Sequence, residues 1–337
     1  MPRPKGTARS PRSRSPRRSS APGLVLAIDL GATKVVSALI AADGTIVRSG
    51  GRQLHENDGP TAVIGAVLRN ARDCLSGTDE RPARVGVSVA AQVDSTAGRV
   101  VHAPNLGWRD VPLGPRVAEG LGLPVVVAND ARAATMGEWR HGEGVGAANL
   151  FFLALGTGVG GSAVLGGELV EGGAHAFGEV GHLTVVSGGR RCHCPNSGCL
   201  EAYVGGWAIA ERAQESARAD PSAAVGLVSR AGVPERITAQ TVFDAYRAGD
   251  LLANRLVRET ERFLADGAVS IVNAFDPGLL VLGGGLTAGM PEFAGVVESA
   301  VRTRCQPPAS DARIAVSRLG ENAALVGVAD IARARSP

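Results

Sequence analysis

Residues 149–173 read NLFFLALGTGVGGSAVLGGELVEGG: an apolar run, a Gly/Thr-rich turn, a second run, a Gly-Gly turn and a short third run. Apolar segments of this length, bounded by turn residues, have the form of buried strands. The same grammar occurs earlier. LVLAIDLGATKVVSALIAADGTIVRSG, residues 24–50, runs strand, glycine-containing turn, alternating strand, Asp-Gly turn at 43 and 44, and strand. A unit written twice predicts two lobes of one design.

Working outward, the first copy is followed by a helical pattern over about 59–76, the strand RVGVSVA (84–90), a helix near 113–122, the strand PVVVAND (124–130) and a helix from about 131. The second copy is followed by several helices between about 200 and 274, the strand in GLLVLGGG (278–285), a helix near 291–304 and the strand in ARIAVSRL (312–319). Meanders continued by alternating helices and strands predict an α/β pair facing across a cleft. The expected boundaries are a small lobe over 24–131, completed by a C-terminal helix over 320–334, and a large lobe over 132–319.

Bulk properties agree with a folded, soluble chain. The 337 residues are 45% hydrophobic, enough for about two domains with a sizeable core. No stretch reaches the roughly 18 apolar residues of a membrane helix, and LVLAI (24–28) is cut short by Asp29. The expectation is a cytoplasmic protein with no membrane partner. Residues 1–20 carry seven Lys/Arg and no acid, and removing them takes the formal net charge from +3 to −4. Rich in Pro and Ser and almost devoid of apolar residues, residues 1–23 are expected to be a disordered basic extension. Nucleic-acid binding is confined to whatever weak attraction that tail exerts.

Two glycine loops mark the cleft. DLGATK (29–34) and LGTGVGG (155–161) each leave a buried strand with small residues, so backbone amides and a Thr hydroxyl can approach an anion. Phosphate is the natural guest. Neither loop has the Walker A spacing or the dinucleotide fingerprint. GGGL (283–286) adds a third glycine turn after a strand. Asp29, ending the first strand, suits Mg²⁺ held directly or through water. GRRCHCPNSGCLEAY (189–203) places three of the five cysteines within eight positions, which reads as a disulfide, a redox pair or a metal site.

The ordered set DLGATK, APNLGWRDVPL (103–113), VVVANDARAA (125–134), LGTGVGG, FGEVGH (177–182), CHCPNSGCLEAY (192–203) and VLGGGL (281–286) resembles the ROK family of bacterial sugar kinases and sugar-responsive repressors. The resemblance spans about residues 24–333. It implies the two-lobed actin-like ATPase fold with duplicated ribonuclease-H-like lobes. It also implies ATP-dependent phosphorylation of a hexose, with Asp130 as general base. Asn105, Asn129, Asp130, Glu179, His182 and Glu201 would hold the sugar. Asp29, Gly31, Thr33, Lys34, Gly156, Thr157, Gly158, Gly283, Gly284 and Gly285 would hold Mg-ATP. The cysteine cluster then becomes His-x9-Cys-x-Cys-x4-Cys, that is His182, Cys192, Cys194 and Cys199, a Cys₃His set suited to structural Zn²⁺. If one ring nitrogen of His182 ligates the metal, the other is left for a sugar hydroxyl. His193 reads as a spacer, and Cys74 and Cys305 as packed thiols on helices.

Three departures from the family pattern bear on activity. Ala90 and Ala91 stand where a Pro-Gly pair is usual, adding a methyl group and resisting positive φ, so sugar affinity is expected to differ. Pro195 replaces the Gly usual after the second cysteine. GGAHAFGEVGH (172–182) is about one residue short. The expectation is a glucokinase-type enzyme, a homodimer or homotetramer, with N-acetylglucosamine or N-acetylmannosamine as other sugars and polyphosphate as another donor. The rival within the family is a sugar-responsive regulator. Such proteins carry a helix-turn-helix ahead of the kinase-like body, which 23 residues of arginine and serine cannot form.

Overall fold

The computed structural model describes residues 23–335; the basic extension at 1–22 lies outside them. The chain opens with β1 (Val25–Leu30), β2 (Lys34–Ile40) and β3 (Ile46–Leu54), then α1 (Pro60–Leu75) and β4 (Arg84–Val89). A small antiparallel sheet follows, β5 (Gln92–Asp94), β6 (Arg99–Ala103) and β7 (Trp108–Val111), and then α2 (Leu113–Leu121), β8 (Val125–Asn129) and α3 (Asp130–His141). The second half comprises β9 (Leu150–Leu155), β10 (Val159–Leu165), β11 (Glu168–Leu169), α4 (Glu201–Val204), α5 (Gly206–Ala219), α6 (Val225–Ala231), α7 (Ala239–Arg247) and α8 (Leu251–Phe275). It ends with β12 (Leu279–Gly283), α9 (Gly285–Gly289), α10 (Phe293–Arg304), β13 (Arg313–Val316) and α11 (Ala323–Ala334).

The two large sheets have one topology. Their orders are β3-β2-β1-β4-β8 and β11-β10-β9-β12-β13. In each, a meander pairs antiparallel and two later strands lie parallel to the meander's first strand. That first strand is central, so both faces are covered, and VLAIDL and LFFLAL are nearly continuous apolar runs for this reason. The carboxyl ends of the parallel strands are where open α/β sheets bind ligands.

Helices α3 and α11 lie between the sheets. Ala133 and Met136 of α3 join Val328, Ala329 and Ala332 of α11 in a core with Val25, Ala27 and Ala38 of the first sheet. Ala134 and Ala323, one from each helix, join Leu150 and Phe152 of the second. The helices approach so closely that a Cβ on Gly327 would overlap the carbonyl oxygen of Ala133, and one on Gly137 that of Ala323. The largest core packs α8 against the second sheet, its buried residues Leu256, Val257, Thr260, Phe263, Leu264, Gly267, Ala268 and Ile271 tracing one helical face.

The local differences from expectation have physical causes. The sheet β5-β6-β7 is too short to be visible as three apolar runs, yet Val93, Val100, Ala103, Trp108 and Val111 all turn into the core. At GGGL the chain enters α9 instead of a simple turn; Gly284 has φ 91°, which only glycine adopts readily. Cys305 caps the end of α10 instead of lying within it. Among the described residues no helix is long and apolar enough to cross a membrane.

Candidate active site

Asp29 and Asp130 lie at the ends of two strands of one sheet. Asp29 is the penultimate residue of β1, while Asp130 opens α3 directly after β8. Asn129, not Asp130, caps α3: its Oδ1 accepts from the Arg132 amide at 3.0 Å. That leaves the Asp130 carboxylate free of the cap, although Oδ1 accepts from the Ala131 amide at 2.9 Å and from Asn129 Nδ2 at 3.0 Å. Burial pushes the Asp130 carboxyl above its usual range against these hydrogen bonds. Burial, and then the Asp130 charge, push Asp29 up to about 6, partly opposed by Ser88 and Lys34. Two carboxyls held above their ordinary range in one place are a functional signature.

The first glycine loop is closed by Gly31 N–H donating to Lys34 O at 2.9 Å. His55, which the sequence gave no reason to single out, braces it: Nε2 lies 3.1 Å from Gly31 O, and its amide donates to Thr33 O at 3.0 Å. The second loop is closed by Gly156 N–H to Gly158 O at 3.0 Å. It is clamped by the start of α5, where Gly206 N–H donates to Gly156 O at 2.9 Å and Trp207 N–H to Thr157 O at 3.2 Å. Thr33 and Thr157 remain exposed. Gly156 and Gly285 have open space where a side chain would stand. Gly283, Gly284 and Gly285 carry the chain from β12 into α9 beside this loop, since a Cβ on Gly284 would overlap Leu155 O.

The polar side chains expected at the sugar converge in part. Glu179 and His182 flank a 3₁₀ turn at Val180–His182, with His182 Nε2 3.9 Å from Glu179 Oε2. Burial pushes the Glu179 carboxyl up; His182 opposes this, while Asp130 and Glu201 add to it. Three acids therefore share one field. Glu201 begins α4 and has both oxygens engaged: Oε2 accepts from the Val159 amide at 2.8 Å and Oε1 from Trp207 Nε1 at 3.1 Å. The structure thus ties Glu201 to the second glycine loop. A carboxylate has about four acceptor positions, so a sugar hydroxyl can still be accommodated. Asn105 stands apart, exposed on the 3₁₀ turn Pro104–Leu106, with no hydrogen bond to the other candidates.

Ala90 and Ala91 need no left-handed backbone: neither is among the residues with positive φ. The conformational penalty expected of alanine there does not arise, because the turn closes with Ala91 N–H on Val89 O at 2.9 Å. Ala91 O accepts from Asn129 Nδ2 at 3.1 Å, which makes this turn a support for the residue capping α3.

His182, Cys192, Cys194 and Cys199 come together, their ligand atoms all within 4.8 Å of one another. Cys194 Sγ lies 3.6 Å from Cys199 Sγ, and Cys192 Sγ 3.7 Å from His182 Nδ1. The sulfur separation is far beyond the roughly 2.05 Å of a disulfide. It matches the edge of about 3.8 Å of a tetrahedron with 2.3 Å zinc–sulfur arms. Burial, the largest cause, pushes Cys192 up to about 12, so ionising that thiol calls for a cation. The residues fit Zn²⁺, with His182 turning Nδ1 to the thiols and Nε2 toward Glu179. Cys74 and Cys305 are buried and free, away from the cluster.

The motifs single out neither Trp207 nor Arg132, and His193, read as a spacer, stacks its ring on Trp207. Arg132, 3% exposed, donates to His175 O at 3.1 Å and so anchors the segment leading to Glu179. One signal was legible for it, an arginine two residues past the Asn-Asp pair on a helix otherwise lined with alanine.

The ROK family profile matches residues 25–335. The glucokinase of Streptomyces coelicolor is 32% identical over 324 residues, covering 94% of this chain and 99% of that protein. The glucokinase of Thermotoga maritima is 31% identical, covering 92% and 98%. The crystal structure of a ROK family glucokinase from Streptomyces griseus in complex with glucose and AMPPNP superposes with a TM-score of 0.82 at 32% identity, covering 92% of this chain and 99% of that one.

Proposed function

Because the chain belongs to the ROK family, we propose that its cleft transfers the γ-phosphoryl group of ATP to the 6-hydroxyl of glucose. The coarser statement needs no proposal: the protein is an ATP-dependent sugar kinase of actin-like two-domain fold. What carries the finer reading is one observation, the convergence of Asp29 and Asp130 at the carboxyl ends of β1 and β8, in the field of Glu179.

Phosphoryl transfer passes through a loose transition state, so alignment and charge stabilisation dominate. Asp130 accepts the proton of the attacking hydroxyl; Asn129 Nδ2 and the Ala131 amide fix its carboxylate, and burial keeps it basic. Glu179, Glu201 and the Nε2 side of His182 supply the acceptors and donor for the other hydroxyls. A site built from such groups rejects sugars lacking the matching hydroxyl. With Gly31 and Gly156 N–H spent on loop closure, the remaining amides of the two loops, with the Thr33 and Thr157 hydroxyls and Gly283–Gly285, cradle the phosphates. Mg²⁺ fits Asp29, and when bound it neutralises charge on the phosphate oxygens. Zn²⁺ fits His182, Cys192, Cys194 and Cys199, and when bound it supplies structural cross-linking of a loop with little core of its own.

The test is ADP release by the purified protein, with Mg²⁺ present, over a panel of glucose, mannose, N-acetylglucosamine and N-acetylmannosamine. The product is identified by phosphorus NMR. Glucose 6-phosphate as the dominant product supports the reading. Preference for an N-acetylated sugar moves the substrate within the family, and the absence of turnover with every sugar favours a sugar-sensing regulator.

A further inference from the structure

Trp207 occupies a junction that neither the sequence motifs nor the proposed chemistry uses. Its indole stacks on the imidazole of His193, ring centroids 3.8 Å apart and planes inclined by 16°. His193 lies between the candidate metal ligands Cys192 and Cys194, and its side chain is exposed apart from this stack. The indole Nε1 donates to Glu201 Oε1 at 3.1 Å, and the other oxygen of that carboxylate accepts from the Val159 amide at 2.8 Å. The Trp207 amide donates to Thr157 O at 3.2 Å. One residue therefore touches the cysteine loop with its ring face, the substrate-side carboxylate with its ring edge, and the second phosphate loop with its backbone. Gly158 completes the join: a Cβ there would overlap Glu201 Oε2, so the phosphate loop and Glu201 are packed against each other.

We propose that Trp207 is a positioning residue that couples the cysteine loop to the nucleotide loop, so that occupancy of the metal site and of the nucleotide site strengthen each other. The inference rests on reading Gly156–Gly158 as a phosphate loop. The physical basis is shared ordering. A metal that fixes the cysteine loop fixes His193, the stack then restricts the Trp207 rotamer, and the Glu201 carboxylate is held where it orders the amides of the loop. The rival link is Arg190, whose guanidinium bonds Glu215 at 2.8 Å and Glu211 at 3.2 Å on α5. It reaches neither Glu201 nor the phosphate loop, and such exposed pairs contribute little.

The experiment times zinc release from the zinc-loaded protein to a chromophoric chelator, with and without AMPPNP, whose binding is measured separately by calorimetry. In the native protein AMPPNP is expected to slow release by at least about fivefold, the lower end of typical coupling between sites; by reciprocity, zinc removal weakens AMPPNP binding by the equilibrium coupling factor. Trp207→Leu removes stack and donor together, and AMPPNP should then bind without protecting the metal. His193→Ala removes only the stack, at an exposed position where folding is not at stake. It should also abolish the protection and change the tryptophan emission. AMPPNP binding with no effect on zinc release in the native protein, or full protection retained in His193→Ala, overturns the coupling alone. No AMPPNP binding overturns the phosphate-loop reading and the coupling with it.

Discussion

In the proposed reaction, two carboxyls at strand ends set the chemistry at the scale of single residues. Asp29 titrates near 6 in the folded protein because burial and the neighbouring Asp130 disfavour its charge. Its folded pKa lies above the unfolded one, so its contribution to stability is fully present below about pH 4 and lost as pH rises through 6. Catalysis needs the opposite state. The acid limb of kcat/KM should therefore fall near pH 6, where the last of this stabilisation is being lost. Asp29→Asn should abolish turnover and raise stability at pH 7 by on the order of 2 kcal/mol, with the gain vanishing at pH 4; denaturant melts at the two pH values check this. Asp130 was legible as an acid following a strand, and the helix from about 131 was legible after it. Which of Asn129 and Asp130 caps that helix was not, because that choice is made by side-chain geometry around the Arg132 amide. The Trp207 junction was invisible for a similar reason: its partners His193 and Glu201 are ordinary by type and meet only through the folded loop.

Elements carry the next level. Helices α3 and α11 bring the two sheets together through glycines whose missing side chains let backbones touch. Gly327→Ala would drive a methyl group into Ala133 O, and should cost about 1–3 kcal/mol, read as a lower Tm without any change in metal content. The cysteine loop is the other element under strain of composition, rich in Gly, Arg and Pro. Stripping its metal with a chelator, or Cys194→Ser, should lower Tm by about 4–8 °C for a loss of about 2 kcal/mol. A thermal melt with metal analysis tests this, and a protein that contains no zinc as purified contradicts it. The strands and helices of both lobes were legible because each is a long apolar run or a clear helical face. The sheet β5-β6-β7 was not, since strands of three to five residues bury too few side chains each to set a period.

At the scale of the whole molecule, the repeated meander at 24–50 and 149–173 proved to be the same strand order built twice. Repetition was the most informative feature of the sequence, since it predicted the pair of sheets before any motif was assigned. The sequence could not show how the halves meet: the glycine crossing of α3 and α11 joins residues almost 200 positions apart. That crossing brings Asp130 of the first lobe into the field of Glu179 in the second, and the account of the molecule as a glucose kinase depends on it. The most direct test is glucose-dependent ADP release by the native protein and by Asp130→Asn, with AMPPNP binding measured on both. The account predicts turnover by the native protein, a loss of at least about 100-fold in the variant, and equal AMPPNP binding by the two. Substantial turnover by Asp130→Asn, or none by the native protein with glucose, would contradict it.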